Sequence, residues 1–485
     1  MSELSDLQPK ALWVNFEQIC KIPHPSKHEH DVVNFIKEFG ISHGLETIVD
    51  EIGNVIIRKP ATKGMENRVG VILQGHVDMV PQKNSTTNHD FLKDPIQAHI
   101  EGEYVKAKGT TLGGDDGIGV AAALAVLEDK EIAHGPIEAL FTIDEETGMT
   151  GASNLKAGLL KGDIFLNMDS EEEGILYIGC AGGINANISF NYHSEKTPAG
   201  MSAFKLVLSG LKGGHSGADI HLGRANANKL MNRFLKHATK EFGLRMSEID
   251  GGGLRNAIPF ESFVTALVPK DKENALKEAA VKAEKIFQEE YAAVEPHISF
   301  TAEPTDIPSH VIDALTQKNL ILAVYGCPNG VMRMSDSMPG LVETSNNLAS
   351  VKSHDGVIDL QCLLRSSVDS SKDDLADMIQ CVFELAGAKA EFADNYPGWK
   401  PNVDSPILHA VETTYKKLFG TEPCIKAIHA GLECGLLGGV YPNWDMISFG
   451  PTIQHPHSPD EQVEIKSVKK FWDLLVETLK NVPTK

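Results

Sequence analysis

Short apolar segments alternate with longer alanine-rich or amphipathic segments over the first third of the chain. The apolar segments span residues 71–74, 137–143 and 163–168, and their length and composition predict buried strands. An Ala/Val/Leu-rich segment between the first two runs to about Asp129 and predicts a helix. Strands that alternate with helices are typical of a doubly wound α/β domain.

Near residue 185 the pattern changes to one that predicts an inserted α+β domain. The predicted elements are strand 204–208, helix 226–242, strand 261–267, helix 272–294, strand 357–364, helix 372–385 and strand 390–392. They form two β-α-β halves, which suggests a pseudo-repeat. Helix 409–419 and strand 446–449 then resume the α/β pattern. We therefore expect a discontinuous first domain, residues 1–186 and 401–485, and an inserted second domain, residues 187–400.

Length and composition fit a globular protein of more than one domain. The chain has 485 residues, of which 42% are hydrophobic and 23% charged, and this length exceeds one ordinary core. No apolar run reaches the ~18 residues that cross a membrane, and the first residues lack the features of a secretory signal. The seven cysteines are odd in number and never spaced C-x-x-C. We therefore expect a protein of the reducing cytoplasm without disulfides.

The net charge argues against two classes of partner. The chain carries 45 basic and 66 acidic residues, a formal charge of −21. Such a field repels the phosphates of nucleic acids and anionic lipid surfaces. We expect neither nucleic acid nor a membrane as a partner.

Three successive carboxylates, Asp144, Glu145 and Glu146, follow the apolar segment 137–143. Like charges this close raise one another's pKa unless a cation neutralises them. One interpretation is a metal ion, with one glutamate as ligand and the other free to act as a base. The alternative is a solvated turn after a strand, and the rest of the chain decides between the two.

Other predicted strands and one predicted helix also carry histidine or carboxylate at their ends. These residues are His76 and Asp78, Asp115, Asp169 and His457. In an open α/β sheet, functional groups converge at the carboxyl ends of the strands. Each residue alone has a structural explanation, such as Asp115 capping a helix N-terminus. Their recurrence at five element ends favours a common site.

Imidazole and carboxylate donors without thiolate are typical of a catalytic zinc site. Five candidate ligands exceed one tetrahedral site, whereas two ions that share a carboxylate use them all. His76 and Asp78 lie two residues apart, so on a strand they share a face and Asp78 is placed to orient the imidazole. Asp144 and Glu145 are adjacent, so we expect Asp144 to face away from the ions.

Six short motifs carry a resemblance to a known family. They are His76-Val-Asp78, Gly113-Gly-Asp115-Asp-Gly, Asp144-Glu-Glu146, Asn167-Met-Asp169-Ser-Glu-Glu-Glu173, Gly213-Gly-His215-Ser-Gly and Pro456-His457-Ser-Pro-Asp460-Glu461. Together they resemble the cocatalytic-zinc peptidases, which include carnosinases, tripeptidase T and related deacylases. The resemblance covers nearly the whole chain. Ile22-Pro-His-Pro-Ser26, Arg255-Asn-Ala-Ile-Pro259 and Ala430-Gly-Leu-Glu-Cys-Gly435 are most similar to its aminoacyl-histidine dipeptidase branch.

The resemblance implies two Zn²⁺ ions per chain, with Co²⁺ or Mn²⁺ as substitutes. It assigns His76, Asp115 and Asp169 to one ion, and Asp115, Glu146 and His457 to the other. It also implies that Glu145 is the general base and that Asp78 orients His76.

Three residues of the inserted domain are candidates for substrate contact. His215, on a glycine-rich turn, resembles the lid histidine that binds the substrate carbonyl, and the alternative is an ordinary turn histidine. Arg365 resembles the arginine that clamps a substrate carboxylate, a task that suits its planar fork, and the alternative is a structural salt bridge. Asn256 is a further candidate, although Asn346 or Asn347 could take its place. The resemblance also implies that this domain is a lid and dimerisation domain, and that the protein is a homodimer.

We therefore expect a zinc-dependent hydrolase of small peptides, with Xaa-His and other unblocked dipeptides as substrates. A tripeptidase or an N-acyl amino-acid deacylase with the same dinuclear site is the alternative. The glycine-rich segment 113–119 could indicate a nucleotide-binding protein, but its carboxylates would repel phosphate and it lacks the required glycine pattern. A metal-binding regulator without activity would lack the base, whereas Glu145 is present.

Overall fold

The computed structural model describes residues 3–485, and within that range it contains twelve α-helices and 25 strands. In chain order, α1 to α12 are Lys10–Cys20, His30–Ser42, Gly114–Glu128, Glu145–Gly148, Thr150–Asn154, Ala227–Phe242, Glu273–Glu290, Ala314–Gly326, Asp369–Leu385, Pro406–Phe419, Glu433–Val440 and Ile465–Asn481. The strands β1 to β13 are Glu46–Val49, Val55–Lys59, Val71–His76, Ala98–Glu101, Tyr104–Ala107, Ile137–Thr142, Ile164–Asn167, Ile175–Cys180, Gly182–Asn191, Ser194–Lys196, Met201–Ser209, Gly214–His215 and Arg245–Gly252. The strands β14 to β25 are Ala257–Ile258, Ser262–Pro269, Ser299–Pro304, His310–Ile312, Gly330–Met334, Val342–His354, Val357–Ser366, Lys389–Tyr396, Cys424–Ile428, Asp445–Ser448, Ile453–Gln454 and Gln462–Glu464.

The chain divides into two compact units. The first comprises the residues up to Gly179 together with Pro401–Ala427 and Leu432–Lys485. The second comprises Cys180–Lys400 and the short segment Ile428–Gly431. The first unit is therefore discontinuous in sequence.

An eight-stranded sheet forms the centre of the first unit, in the order β1-β2-β6-β3-β7-β23-β8-β22. β6, β3, β7 and β23 are parallel neighbours, so their carboxyl ends lie at one edge of the sheet. β3, β6 and β7 are buried along their whole lengths, as parallel strands covered on both faces are. The long helix α3 connects β5 to β6 along the chain and packs against α1 and β3.

A nine-stranded antiparallel sheet forms the centre of the second unit. Helices α6 to α9 contribute to its hydrophobic core, in which the rings of Phe234 and Phe300 meet edge to face with centroids 4.7 Å apart. The helix predicted for residues 226–242 is confirmed by α6, Ala227–Phe242. The side chain of Asn226 caps that helix by accepting a hydrogen bond from the backbone N–H of Lys229. The helix predicted for 272–294 ends earlier, at Glu290.

Among the residues that the structure describes, no helix combines the length and the apolar character that a membrane span requires.

Candidate metal centre

Five imidazole and carboxylate side chains of the first unit converge at the carboxyl edge of the parallel strands. His76 is the last residue of β3, Asp115 lies in the first turn of α3, and Glu146 lies in the short helix α4. Asp169 follows β7, and His457 follows β24. Their donor atoms form two groups, each lying within a 4.8 Å span, and these groups are His76, Asp115, Asp169 and Asp115, Glu146, His457.

Asp115 belongs to both groups because its two carboxylate oxygens face different histidines. Oδ1 lies 3.1 Å from Nε2 of His76, and Oδ2 lies 3.1 Å from Nε2 of His457. Oδ1 of Asp169 lies 3.3 Å from the same His76 nitrogen, and Oε2 of Glu146 lies 3.0 Å from the His457 nitrogen. Each imidazole nitrogen is therefore flanked by two carboxylates, of which one is shared.

The electrostatics of these groups fit divalent cations. Oε1 of Glu146 is buried and has no hydrogen-bond partner among the described residues. Hydrogen bonds to Asp115 and Glu146 raise the pKa of His457 to about 10. Burial raises the pKa of Asp169 well above its ordinary value. Buried carboxylates that face only imidazole side chains are stabilised by a metal ion, and oxygen and nitrogen donors without sulfur suit zinc or a similar metal.

Glu145 lies beside the centre, with a carboxylate oxygen in one group with His76 and Glu146. Burial, together with the charges of Glu433 and Glu146, raises the pKa of Glu145 to about 8. The strand β6 ends at Thr142, and Glu145 and Glu146 begin the helical turn α4. They are thus neighbours on a turn rather than alternating positions on a strand.

Asp78 connects His76 to this turn. Nδ1 of His76 lies 3.1 Å from the backbone oxygen of Asp78 and 3.4 Å from its Oδ1. The same carboxylate accepts hydrogen bonds from the backbone N–H of Glu145 at 2.9 Å, from that of Glu146 at 3.2 Å, and from Oγ of Ser26 at 2.8 Å. Although burial opposes its ionisation, the hydrogen bond from His76 lowers the pKa of Asp78 to about 2. Asp78 thus contacts both a histidine of the centre and the backbone that carries two glutamates.

The strand argument that placed Asp144 was wrong in its premise, because the strand ends before this residue. Asp144 has a positive φ of 52° and precedes α4. Its carboxylate accepts hydrogen bonds from the hydroxyls of Thr147 and Thr150. It groups with Glu29 and Asp78 rather than with the two ligand sets.

A chain of buried polar side chains, which sequence reasoning missed, crosses the sheet below the centre. Glu433 accepts hydrogen bonds from Nε2 of Gln74 and Oγ1 of Thr142, each at 2.7 Å. Oε1 of Gln74 accepts a bond of 2.6 Å from Asn167, whose Oδ1 accepts one of 2.5 Å from Ser448. The chain joins β6, β3, β7 and β23 near their carboxyl ends. Polar residues two positions before His76 and Asp169, inside otherwise apolar strands, were the available signal.

His215, in the second unit, is held in one tautomer by its own turn. Its Nδ1 accepts hydrogen bonds from the backbone N–H of Gly217 at 3.2 Å and of Ala218 at 2.9 Å. In the neutral ring the proton must then be on Nε2, which is left as a donor. Burial and the nearby charge of Arg365 lower the pKa of His215 and favour that neutral form.

Arg365 is a buried cation of the second unit that is only 5% exposed. Its contacts are with Oγ of Ser216 at 3.5 Å and with the hydroxyl of Tyr396 at 3.2 Å. Within residues 3–485 no carboxylate forms an ion pair with it, so the structural salt bridge considered for this residue is absent there. A buried guanidinium without a carboxylate is costly unless a ligand supplies the anion.

Asn256 is exposed on the loop between β13 and β14, and its backbone oxygen accepts a 2.7 Å bond from the N–H of Ser216. Asn347 is buried and donates to the backbone oxygens of Arg255 at 3.0 Å and Ala257 at 2.8 Å. Asn346 is also buried and donates to the backbone oxygen of Pro328. The amide N–H₂ groups of Asn346 and Asn347 thus have backbone partners, whereas their Oδ1 atoms are buried without a hydrogen-bond partner among the described residues. Asn256 is exposed.

The sequence profile described as peptidase family M20/M25/M40 matches residues 72–481, most of the chain and every residue of the centre. The chain belongs to this peptidase family. The family resemblance inferred from the motifs is therefore confirmed, and the chain is a peptidase. Cytosol non-specific dipeptidase of Escherichia coli (strain K12) is 50% identical to it over 485 residues, which cover 100% of both chains.

Two solved structures share this fold. Aminoacylhistidine dipeptidase from Vibrio alginolyticus shares 51% identity, with a TM-score of 0.97 over 100% of this chain and 99% of that one. Aminopeptidase PepT from Bacillus cereus shares 15% identity, with a TM-score of 0.57 over 98% and 99% of the two chains. The second likeness concerns the fold alone. The α/β fold class predicted from the sequence is confirmed.

Proposed function

We propose that the protein is a dinuclear metal-dependent dipeptidase that hydrolyses unblocked dipeptides, including Xaa-His. The observation that carries the proposal is the placement of Asp115, whose two oxygens each face a different histidine at 3.1 Å. A carboxylate shared in this way would serve two adjacent metal ions. The full-length identity to an enzyme named as a dipeptidase supports the choice of substrate class.

In this proposal each ion has three ligands from the chain. His76, Asp115 and Asp169 would hold one ion, and Asp115, Glu146 and His457 would hold the other. The metals, Zn²⁺ with Co²⁺ or Mn²⁺ as substitutes, would supply Lewis acidity for the activation of water and the polarisation of the peptide carbonyl.

Glu145 moves the proton. Its carboxylate lies within 4.8 Å of donor atoms of His76 and Glu146 but belongs to neither ligand set. It takes a proton from the attacking water at one carboxylate oxygen and delivers it to the leaving amine nitrogen. Asp78 holds Glu145 in place through the backbone N–H and holds His76 through its Nδ1 side.

The second unit binds the substrate. Arg365 binds the free carboxylate of a dipeptide, because its buried guanidinium has no anionic partner among the described residues. His215 donates from Nε2 to the carbonyl oxygen of the scissile bond and stabilises the oxyanion that develops there. Asn256 adds a polar contact from an exposed loop. The unit acts as a lid and as the dimerisation surface of a cytoplasmic homodimer.

A substrate panel combined with metal analysis tests the proposal. Ala-His, β-Ala-His, a tripeptide and an N-acyl amino acid are assayed side by side, before chelation, after chelation and after metal is restored. We expect about two metal ions per chain, fastest hydrolysis of the dipeptides, and loss and recovery of activity with the metal. Preference for the tripeptide or the acylated amino acid would instead favour a tripeptidase or a deacylase on the same centre.

A further inference from the structure

Glu461 forms a hydrogen-bonded clamp on the loop that carries Asp115. Its Oε2 accepts hydrogen bonds from the backbone N–H of Leu112 at 2.7 Å and of Gly113 at 3.1 Å. Its Oε1 accepts from the backbone N–H of Gly114 at 2.7 Å and of Asp115 at 3.4 Å. One side chain, itself only 2% exposed, thus receives four consecutive backbone donors.

The loop needs this acceptor because its own backbone does not supply one. Asp115 and Asp116 have non-helical backbone angles at the start of α3, so the first turn of the helix is irregular. The backbone N–H groups at a helix start have no intrahelical partner, and buried N–H groups without an acceptor are costly. Here Glu461 is the acceptor, with hydrogen bonds from four backbone N–H groups.

The sequence of the loop permits the close approach that the clamp requires. Gly113 has a φ of +71°, a conformation that favours glycine. A Cβ added at Gly114 would lie 2.4 Å from Cγ2 of Val463 and 3.2 Å from Oε1 of Glu461. The pair of glycines therefore allows the backbone to lie directly against the carboxylate.

The clamp also joins two segments that carry members of the centre. Glu461 lies four residues after His457, and β25 begins at the next residue and pairs with β5. The segment of His457 is thus fixed at one end to the loop of Asp115. Asp115 is on one of the two segments that Glu461 connects, and His457 is on the other. Oδ2 of Asp115 lies 3.1 Å from Nε2 of His457.

We propose that Glu461 is a positioning residue that sets the orientation of the shared carboxylate of Asp115 and thereby the affinity of the centre for metal. Glu461 faces backbone N–H groups and belongs to neither ligand set, so it acts through Asp115. The inference rests on the dinuclear centre proposed above, and it assigns Glu461 no contact with the substrate.

Metal titration of chelated protein by calorimetry tests this role directly. Glu461→Gln keeps the size of the side chain but replaces one acceptor oxygen with an amide that cannot accept, and Glu461→Asp keeps the charge but withdraws it from the loop. Removing partners that hold metal ligands in place typically costs 10–100-fold in metal affinity. We expect a Kd for Zn²⁺ weaker by about that factor in Glu461→Gln. Activity lost at low metal concentration should recover as metal is added, with KM for the dipeptide unchanged.

The matched control is Asp460→Asn, which removes one negative charge from the neighbouring, exposed position. Its metal affinity should equal that of the wild type. A Kd for Glu461→Gln within twofold of the wild type would overturn the proposal, even if the chelated variant melted at a lower temperature, because Glu461 would then be structural only. If Glu461→Gln cannot be recovered folded, the same titration of Glu461→Asp decides by the same criterion. Wild-type protein that binds no metal would instead contradict the dinuclear centre itself.

Discussion

The backbone N–H of Glu145 donates a hydrogen bond to Oδ1 of Asp78, with a nitrogen–oxygen distance of 2.9 Å. The same carboxylate oxygen lies 3.4 Å from Nδ1 of His76. One buried aspartate therefore fixes the turn that carries the proposed base relative to a proposed metal ligand. Catalysis by a positioned base depends on such placement, because small displacements of reacting groups are costly in rate.

Replacing Asp78 should therefore lower kcat more than it raises KM. The Asp78 carboxylate faces four donors, which are the backbone N–H groups of Glu145 and Glu146, the hydroxyl of Ser26 and Nδ1 of His76. In Asp78→Asn an amide N–H₂, which cannot accept a hydrogen bond, replaces one of the two acceptor oxygens. We expect kcat to fall about 10- to 100-fold, the range typical of partners that orient ligands. Steady-state kinetics with Ala-His measure the effect. Ser26→Ala is the matched control, because it removes a single bond to Asp78 Oδ2 and leaves the Glu145 bond intact. An equal loss in both variants would contradict this role.

Arg365 should determine recognition of the free carboxylate of the substrate. Arg365→Lys retains a positive charge but loses the bidentate fork. Hydrogen bonds to charged groups contribute about 1.5–3 kcal/mol, so we expect KM for Ala-His to rise about 10- to 100-fold while the metal content stays unchanged. The corresponding dipeptide amide, which has no carboxylate, should show little change between wild type and variant. Arg233→Lys, in an exposed ion pair with Glu290, is the control. A similar penalty for amide and acid would indicate a structural arginine.

His429 should make the stability of the protein depend on pH below neutrality. This histidine is 6% exposed, Oγ of Ser345 lies 2.7 Å from its Nε2, and burial and the charge of Arg365 lower its pKa from 6.5 to about 3. Between these values the unfolded chain binds a proton that the folded chain does not, so stability falls as the pH falls. The slope is about 1.4 kcal/mol per pH unit below 6.5.

Urea denaturation of wild type and His429→Gln between pH 7 and 5 measures this contribution. The wild type should lose about 2 kcal/mol more than the variant over that range. His409, an exposed histidine paired with Glu412, provides the control, and His409→Gln should follow the wild type. If the free energy of unfolding fell equally with pH in wild type and His429→Gln, His429 would bind its proton in the folded protein as readily as in the unfolded chain. That result would contradict the prediction.

The strands that carry the centre were predictable because buried parallel strands are continuously apolar. Residues 71–74 and 163–168 stand out in the sequence for that reason. In the structure His76 is the last residue of β3, and Asp169 follows the end of β7 by two residues. The turn at Glu145 was not predictable in detail. Alternation along a strand was assumed there, whereas the chain leaves the strand at Thr142 and begins a helical turn.

The supporting contacts of the centre were less predictable because their partners are distant in sequence or are backbone atoms. Glu461 accepts hydrogen bonds from backbone N–H groups that lie more than 340 residues earlier in the chain. Every residue except proline has such an N–H group, so the sequence does not mark these partners. Glu433 meets Gln74 and Thr142 only because three separate elements fold together. Both glutamates lie within motifs that carry the family resemblance, yet the resemblance alone assigned them no role.

The division of roles between the adjacent residues Glu145 and Glu146 is the central claim, and one comparison tests it most directly. Metal content and kcat are measured for Glu145→Gln and Glu146→Gln under identical loading conditions. The account predicts that Glu145→Gln retains both metal ions while kcat falls about 10²- to 10⁴-fold, the contribution typical of a general base. Glu146→Gln should instead lose one metal ion, the one for which Glu146 and His457 are both ligands. If Glu145→Gln lost metal and kept its activity, the assignment of these two carboxylates would be wrong.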